Sequence, residues 1–345
     1  MAPAAADEAA AGTSYNERDI GMGFSWRMSS ALCAIALACT ACSAAGASGA
    51  ATAPATIAPA PTHSAEMSGL AEPGSLVVLG DDGGNGASLW RLDAGGEWTS
   101  PAFGGDASAL SVGVDGILVT NGRTIATRRS SDLSTPGSSI ELKWPAGPIR
   151  SVVALDQSPS GEYAIVTQEG TKSQYYTASR DGKVNSLVPA PAESFTPMAS
   201  WLDDTRLMVL STGSDQVSRL AVVDMAAKTL SPIKTIGGLT SFALSADRET
   251  LAVASGSEIL AEPVISWTGG LQPQRVAAVE AGKVVWGLAL DRSGNRLAVL
   301  SGVVSADGRV SGTRDTCYSR RGDAWLKSCD VETKMLAPKS QIWVP

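Results

Sequence analysis

SPSGEYAIV, residues 158–166, and DRSGNRLAV, residues 291–299, share one shape: a polar turn that runs into a short apolar strand. LDDTRLMV (202–209) and SADRETLAV (245–253) repeat it. The turn positions Gly161, Asp204, Arg248 and Gly294 lie 43, 44 and 46 residues apart. Short Val-, Leu- and Ala-rich runs bounded by Gly, Asp and Ser are strand signals. A period near 44 in an all-β chain predicts blades of four strands. One such blade cannot bury both its faces, so blades stack around an axis.

A second repeat interleaves with the first. ASLWRLDAGGEWTSPA (87–102), QYYTASRDGKVNSLVP (174–189), SRLAVVDMAAKTLSPI (218–233) and AWLKSCDVETKMLAP (324–338) each read as strand, polar turn, strand, Pro. We read them as the outer hairpins, strands C and D, of four blades. TIATRRSSDLSTP (124–136) and PVISWTGGLQPQRV (263–276) are weaker copies. The fold class is therefore all-β, a six-bladed β-propeller over residues 74–345.

The turns SPSGEYAIV and DRSGNRLAV resemble the WD40-like repeats of TolB-type propellers. VVDMAAKTL (222–230) and CDVETKML (329–336) resemble the hairpins of YVTN-type propellers. The resemblance covers about residues 75–340. It implies a fold and little chemistry, because these families share architecture rather than reaction. The chain lacks the Gly-His pair and the Trp-Asp of true WD40 repeats, so the His network of that family is not expected.

Leu76–Leu79 aligns with strand B of the later blades, and the chain ends with a surplus strand, SQIWVP. Gln341–Val344 is therefore expected to supply the innermost strand of blade one, which leaves no open seam. Two B–C loops then meet where blades one and six adjoin: GDDGGNGAS (80–88) and the long 302–324 segment. Long loops on a rigid scaffold are common binding places. Asp81 and Asp82 on one side, with Arg309, Arg314, Arg320, Arg321 and Trp325 on the other, form the candidate binding rim. The plainer reading is two solvated loops that attract one another weakly. Asp81, Asp82 and Asn85 also supply oxygen ligands of the kind that suits Ca²⁺, without a further carboxylate at fixed spacing. Arg321-Gly322-Asp323 is a three-letter adhesion motif with a high chance rate. Cys317 and Cys329 flank the RRGD turn nearly symmetrically and are expected to form a disulfide across a hairpin; two separately buried thiols are the other reading. Trp90, Trp201, Trp267, Trp286 and Trp325 are expected to fill space between blades, with Trp325 the best candidate for a sugar platform.

The N-terminal part reads differently. Residues 1–21 are acidic where a signal peptide is positive, and Met22 is a plausible start. Arg27, the eleven-residue apolar run Ala31–Ala41 and the small pair Thr40-Ala41 have the layout of a secretory signal peptide over 22–41. The Cys that follows resembles the lipobox of bacterial lipoproteins, which implies lipidation at Cys42, with Cys39 as the alternative. Parity favours Cys42, since it leaves Cys317 and Cys329 as an even pair. Residues 42–73, rich in Ala, Pro, Ser and Thr, cannot bury a core and read as a disordered linker. The implied location is the extracytoplasmic face of a cell membrane, held by a lipid anchor.

Composition narrows the function. The chain has 345 residues, a net charge of −7 and no basic stripe, so no nucleic-acid partner is expected. Its one histidine, His63, falls in the linker. That removes Ser-His-Asp catalysis and His metal clusters. Asp156, Asp203, Asp204, Asp247 and Asp291 come about once per repeat at the A–B turn and read as turn chemistry. The favoured reading is a binding or scaffold module for an envelope protein or polymer, with no cofactor. The alternative is a Ca²⁺-dependent propeller hydrolase of lactonase type, which needs clustered acids along the axis.

Overall fold

The computed structural model describes residues 75–344, apart from 82–86, 93–95, 100–106, 130–131, 146–150, 170–171, 190, 192–196, 213–216, 235–237, 265–272, 305–309 and 334–336. The segments expected to be a signal peptide (22–41) and a linker (42–73), with Cys39, Cys42 and His63, and also Trp267, lie outside the described residues.

The described strands form six four-stranded antiparallel sheets. Blade one contains β1 (Ser75–Asp81), β2 (Ala87–Leu92) and β3 (Trp98–Thr99). Blade two contains β4 (Ala109–Gly113), β5 (Gly116–Thr120), β6 (Thr124–Arg129) and β7 (Asp132–Glu141). Blade three contains β8 (Ser151–Gln157), β9 (Tyr163–Glu169), β10 (Lys172–Ala178) and β11 (Val184–Ser186). Blade four contains β12 (Ala199–Trp201), β13 (Arg206–Thr212), β14 (Ser218–Asp224) and β15 (Thr229–Lys234). Blade five contains β16 (Leu239–Leu244), β17 (Thr250–Ser255), β18 (Glu258–Pro263) and β19 (Gln274–Ala278). Blade six contains β20 (Lys283–Leu290), β21 (Arg296–Val304), β22 (Val310–Arg321) and β23 (Ala324–Glu332). The last strand, β24 (Ala337–Val344), returns to blade one and pairs antiparallel with β1. The expected ring closure is present, with Trp343 opposite Leu76 and Gln341 opposite Val78.

The apolar runs are continuous because strand B of each blade is covered on both faces. Leu207 and Val209 of β13 point into the cluster shared with blade three. Met208 and Leu210, between them, point into the cluster shared with blade five. All four are fully buried, and each such side chain stabilises the fold by about 1.5–3 kcal/mol. Comparable clusters fill the junctions between blades one and two, two and three, five and six, and six and one. The core is thus a closed ring of six interfaces, not one central mass.

The A–B turns follow one design. In blade three the Ser158 carbonyl accepts from Gly161 N–H, and the Ser158 hydroxyl accepts from Glu162 N–H. Ser245 serves Arg248 and Thr250 in the same way in blade five, and Asp291 serves Gly294, Asn295 and Arg296 in blade six. Gly161, Gly294 and Arg248 hold the left-handed turn position, with φ of 88°, 68° and 65°. An L side chain there is strained, so Arg248 stands out.

Blade six corrects two expectations. The 302–324 segment is not a long loop: most of it is β22, a strand of twelve residues. Likewise 324–338 is not a C–D hairpin but strand D followed by the start of β24. The polar, Gly-containing stretch VSGTRDTCYSRR hides a strand because its alternate residues Thr313, Asp315 and Cys317 are the buried ones. Cys317 and Cys329 are register partners in β22 and β23 and are joined by a disulfide.

Candidate functional site

The innermost strands β24, β4, β8, β12, β16 and β20 sit at one edge of each sheet and line the axis. At the end that carries the A–B turns, four blades converge on Asp156, near the end of β8. Its Oδ2 accepts from Trp201 N–H at 2.7 Å and from Ser200 Oγ at 2.7 Å, both on β12. Its Oδ1 accepts from Ser111 Oγ of β4 at 3.2 Å. Arg248 reaches in from the turn of blade five, with Nη1 3.2 Å from Oδ2 and Nη2 3.3 Å from Oδ1. The guanidinium also donates to Ser200 Oγ at 3.0 Å and to the Gln157 carbonyl at 3.0 Å. The side chains of Arg248 and Asp156 are only 16% and 9% exposed. Such a pair is held by several donors at once, the condition under which a buried ion pair is tolerated.

The turns are also tied to one another. Ser160 N–H of blade three donates to Asp204 of blade four at 2.7 Å, which holds that carboxyl below its ordinary range. Asp247 N–H of blade five donates to the Arg292 carbonyl of blade six at 3.2 Å. Asp203, Asp247 and Asp291 do cap their own turns, as expected from sequence. Asp156 does not: it is a cross-blade anchor, which corrects its reading as a turn residue. The node was missed because its partners lie 44 to 92 residues from Asp156 in sequence. The available signal was an arginine at the repeat position that two other blades give to glycine.

The candidate rim is divided by the structure. Asp82 and Arg309 lie outside the described residues, as does Asn85. Asp81 ends β1, opposite Ala87 and Ala337, at the B–C end of its blade. Arg320 and Arg321 end β22 at the C–D turn. At ~3.4 Å per residue, a strand of that length puts them roughly 35 Å from Val310. Arg320 and Arg321 therefore lie at the end of their blade away from the B–C turns. Arg314 is in mid-strand, with its Nε 2.7 Å from Asp330 of β23, which also pairs with Lys327. Burial works against the Asp330 carboxylate, but these two cations hold it below its ordinary range. Trp325 is half-buried against the cluster between blades five and six, so it packs rather than forming an open platform. Trp90 and Trp201 also pack between blades. The exposed remainder is the ribbon tip: Arg321, Gly322, Asp323 and, beside it, Leu326 at 48% exposure. Arg320 donates to the Gly322 carbonyl at 3.2 Å, and Gln274 of blade five donates to the Asp323 carbonyl. Among the described residues, no group of three His, Cys, Asp or Glu side chains is arranged to hold a metal.

Fold and node together define a closed six-bladed propeller of four-stranded blades. No family model and no curated protein matches the sequence. Solved structures do. A protein assigned as TolB in Agrobacterium tumefaciens superposes with a TM-score of 0.50 at 16% identity, covering 79% of this chain and 97% of that one. A chain of the nidogen–laminin complex superposes at 0.56 and 10% identity, covering 79% and 98%. The periplasmic gluconolactonase of Pseudomonas aeruginosa superposes at 0.47 and 14%, covering 79% and 99%. At these identities the likeness is one of fold.

Proposed function

We propose that the chain is a lipid-anchored, extracytoplasmic binding module whose propeller engages an envelope protein or polymer through the blade-six ribbon. The observation that carries this reading is the ribbon itself. β22 and β23 are twelve and nine residues long, stapled by Cys317–Cys329, and β23 is a sheet edge. An edge presents unpaired backbone groups to a partner. The ribbon tip adds an exposed Arg321 and an exposed Leu326, the cationic and apolar mixture common at interfaces. Near the axis, by contrast, Asp156 is already engaged by four donor residues, which suits a structural anchor better than a reactive group.

The anchor is tested by the intact mass of the membrane-extracted protein. Cleavage before Cys42 with added acyl chains supports it, and a full-length unacylated mass overturns it. The binding surface is tested with a photocrosslinker at position 326. A partner trapped by wild type and lost in R320E/R321E, with unfolding unchanged, supports the ribbon. A partner trapped equally by both removes the ribbon from the argument. Chelator-sensitive hydrolysis of a lactone by the purified protein would replace the binding reading with the enzymatic one.

A further inference from the structure

Asp315, among the described residues, combines full burial with a carboxyl that has no partner. It lies in β22, opposite Leu300 of β21 and Val331 of β23. Cys317, two residues along the same face, belongs to the cluster between blades six and one. Asp315 is fully buried, and neither carboxyl oxygen has a hydrogen-bond partner. The same seam contains other polar atoms without partners: Trp90 Nε1 and Trp343 Nε1 as donors, and Gln341 Oε1 as an acceptor. Gln341 donates its Nε2 to the Ala298 carbonyl, which places it against β21.

The described side chains around Asp315 supply no counter-charge. From blade six the face presents Ala298, Leu300, Cys317, Cys329 and Val331; from blade one, Leu76, Val78, Trp90, Gln341 and Trp343. None of these titrates, because both cysteines are in the disulfide. Arg296 is on the same face of β21, four residues from Leu300, so roughly 13 Å away along the strand. Arg314, Lys327, Asp330 and Glu332 fall on the opposite face of the ribbon, where Arg314 and Lys327 pair with Asp330. Lys283 of β20 pairs with Glu280 at 2.8 Å, and Arg91 of β2 alternates toward blade two. Transferring an ionised carboxylate into such a seam is costly, whereas the protonated acid is neutral.

We propose that closure of the ring is proton-dependent: Asp315 occupies the seam between blades six and one as an uncharged carboxylic acid, and loss of its proton loosens the seam that β24 completes. Burial alone pushes this carboxyl up to about 8, against an ordinary value of 3.8. The folded chain then holds one proton more than the unfolded chain throughout that interval. The contribution of this group to stability is therefore full below pH ~4 and is lost as pH rises toward ~8. One proton of difference corresponds to about a tenfold rise in the unfolding equilibrium constant per pH unit.

The test is urea unfolding of wild type and Asp315→Asn between about pH 5 and pH 8, with amide exchange read by segment. Asn is the neutral near-isostere of the protonated acid. Wild type is expected to lose stability with a slope near one proton relative to Asp315→Asn. Exchange in β24 should rise with pH relative to β13, a comparison that cancels base catalysis common to both. Identical slopes in the two proteins would overturn the proposal. If the Asn variant does not fold, the wild-type exchange decides alone: a β24 to β13 ratio independent of pH refutes a proton-dependent seam.

Discussion

Arg248→Ala removes the guanidinium that reaches Asp156 from blade five. Deleting one partner of a buried ion pair costs about 3–5 kcal/mol when the other charge is stranded. Here Asp156 keeps Trp201 N–H, Ser200 Oγ and Ser111 Oγ, so the expected loss is smaller, about 2–3 kcal/mol. That raises the unfolding constant ~30- to 150-fold and lowers Tm by roughly 4–12 °C for a domain of this size. Asp156→Ala strands the cation, leaving it only Ser200 Oγ and the Gln157 carbonyl, so its loss should be the larger of the two. Arg248→Gly separates the pair from the backbone. Position 248 has φ 65°, which costs a side-chain-bearing residue about 1 kcal/mol relative to glycine. The Gly variant should therefore unfold about 1 kcal/mol later than the Ala variant. The assay is urea unfolding of the three variants and the Asp156→Ala/Arg248→Ala double mutant, which isolates the coupling. An Arg248→Ala protein within ~0.5 kcal/mol of wild type would refute the node as a structural anchor, and a Gly variant less stable than Ala would refute the backbone strain at 248.

Truncation before Gln341 removes the buried Ile342 and Trp343 and exposes the inner edge of β1. Losing the two apolar side chains alone amounts to about 5–8 kcal/mol, much of a typical domain's stability, so the truncated chain should show no cooperative melt; a wild-type transition would exclude β24 as the ring's closure. Cys317→Ser/Cys329→Ser opens a short loop, a sequence separation of 12, and should destabilise by about 3 kcal/mol on the chain-entropy account; reduction of wild type should reproduce that loss, and an unchanged melt would mean the ribbon is held by its ladder alone. Asp203 is the acidic counterpart to Asp315. Partial burial would raise its carboxyl, but the N–H groups of Thr205 and Arg206, the Arg206 guanidinium and the Thr205 hydroxyl bring it down to about 2. Its stabilisation is present above pH ~4 and disappears as pH falls toward ~2, so the gap between wild type and Asp203→Asn should close over that range; a gap of constant size would refute the linkage.

The blades were legible because turn and strand chemistry recur. Ser158, Ser245 and Asp291 perform one task at one repeat position, and a repeated task leaves a repeated sequence. β24 was legible because a ring with a surplus strand has only one place for it. Features that break the repeat were the ones misread. VSGTRDTCYSRR looks like a loop because five of its residues are charged or glycine, yet its burial alternates with period two. Asp156 sits close to the repeat position of the other turn acids, but its place along β8 turns its carboxyl toward Ser111, Ser200 and Arg248 instead of its own backbone. Contacts that span two blades leave no local pattern to find.

Blade one is completed by β24, the last of the described strands in chain order. Until β24 emerges, β1 carries a free edge with Leu76 and Val78 uncovered on the side that Trp343 and Gln341 later occupy. The nascent chain is therefore an unfinished acceptor for a strand of the pattern SQIWV, and premature compaction of the ring is suppressed by topology. The same vacancy accepts the corresponding strand of a second molecule. In concentrated refolding this chain should accordingly give reciprocal or daisy-chained oligomers that exchange their C-termini, a domain-swapped product whose blades are each native.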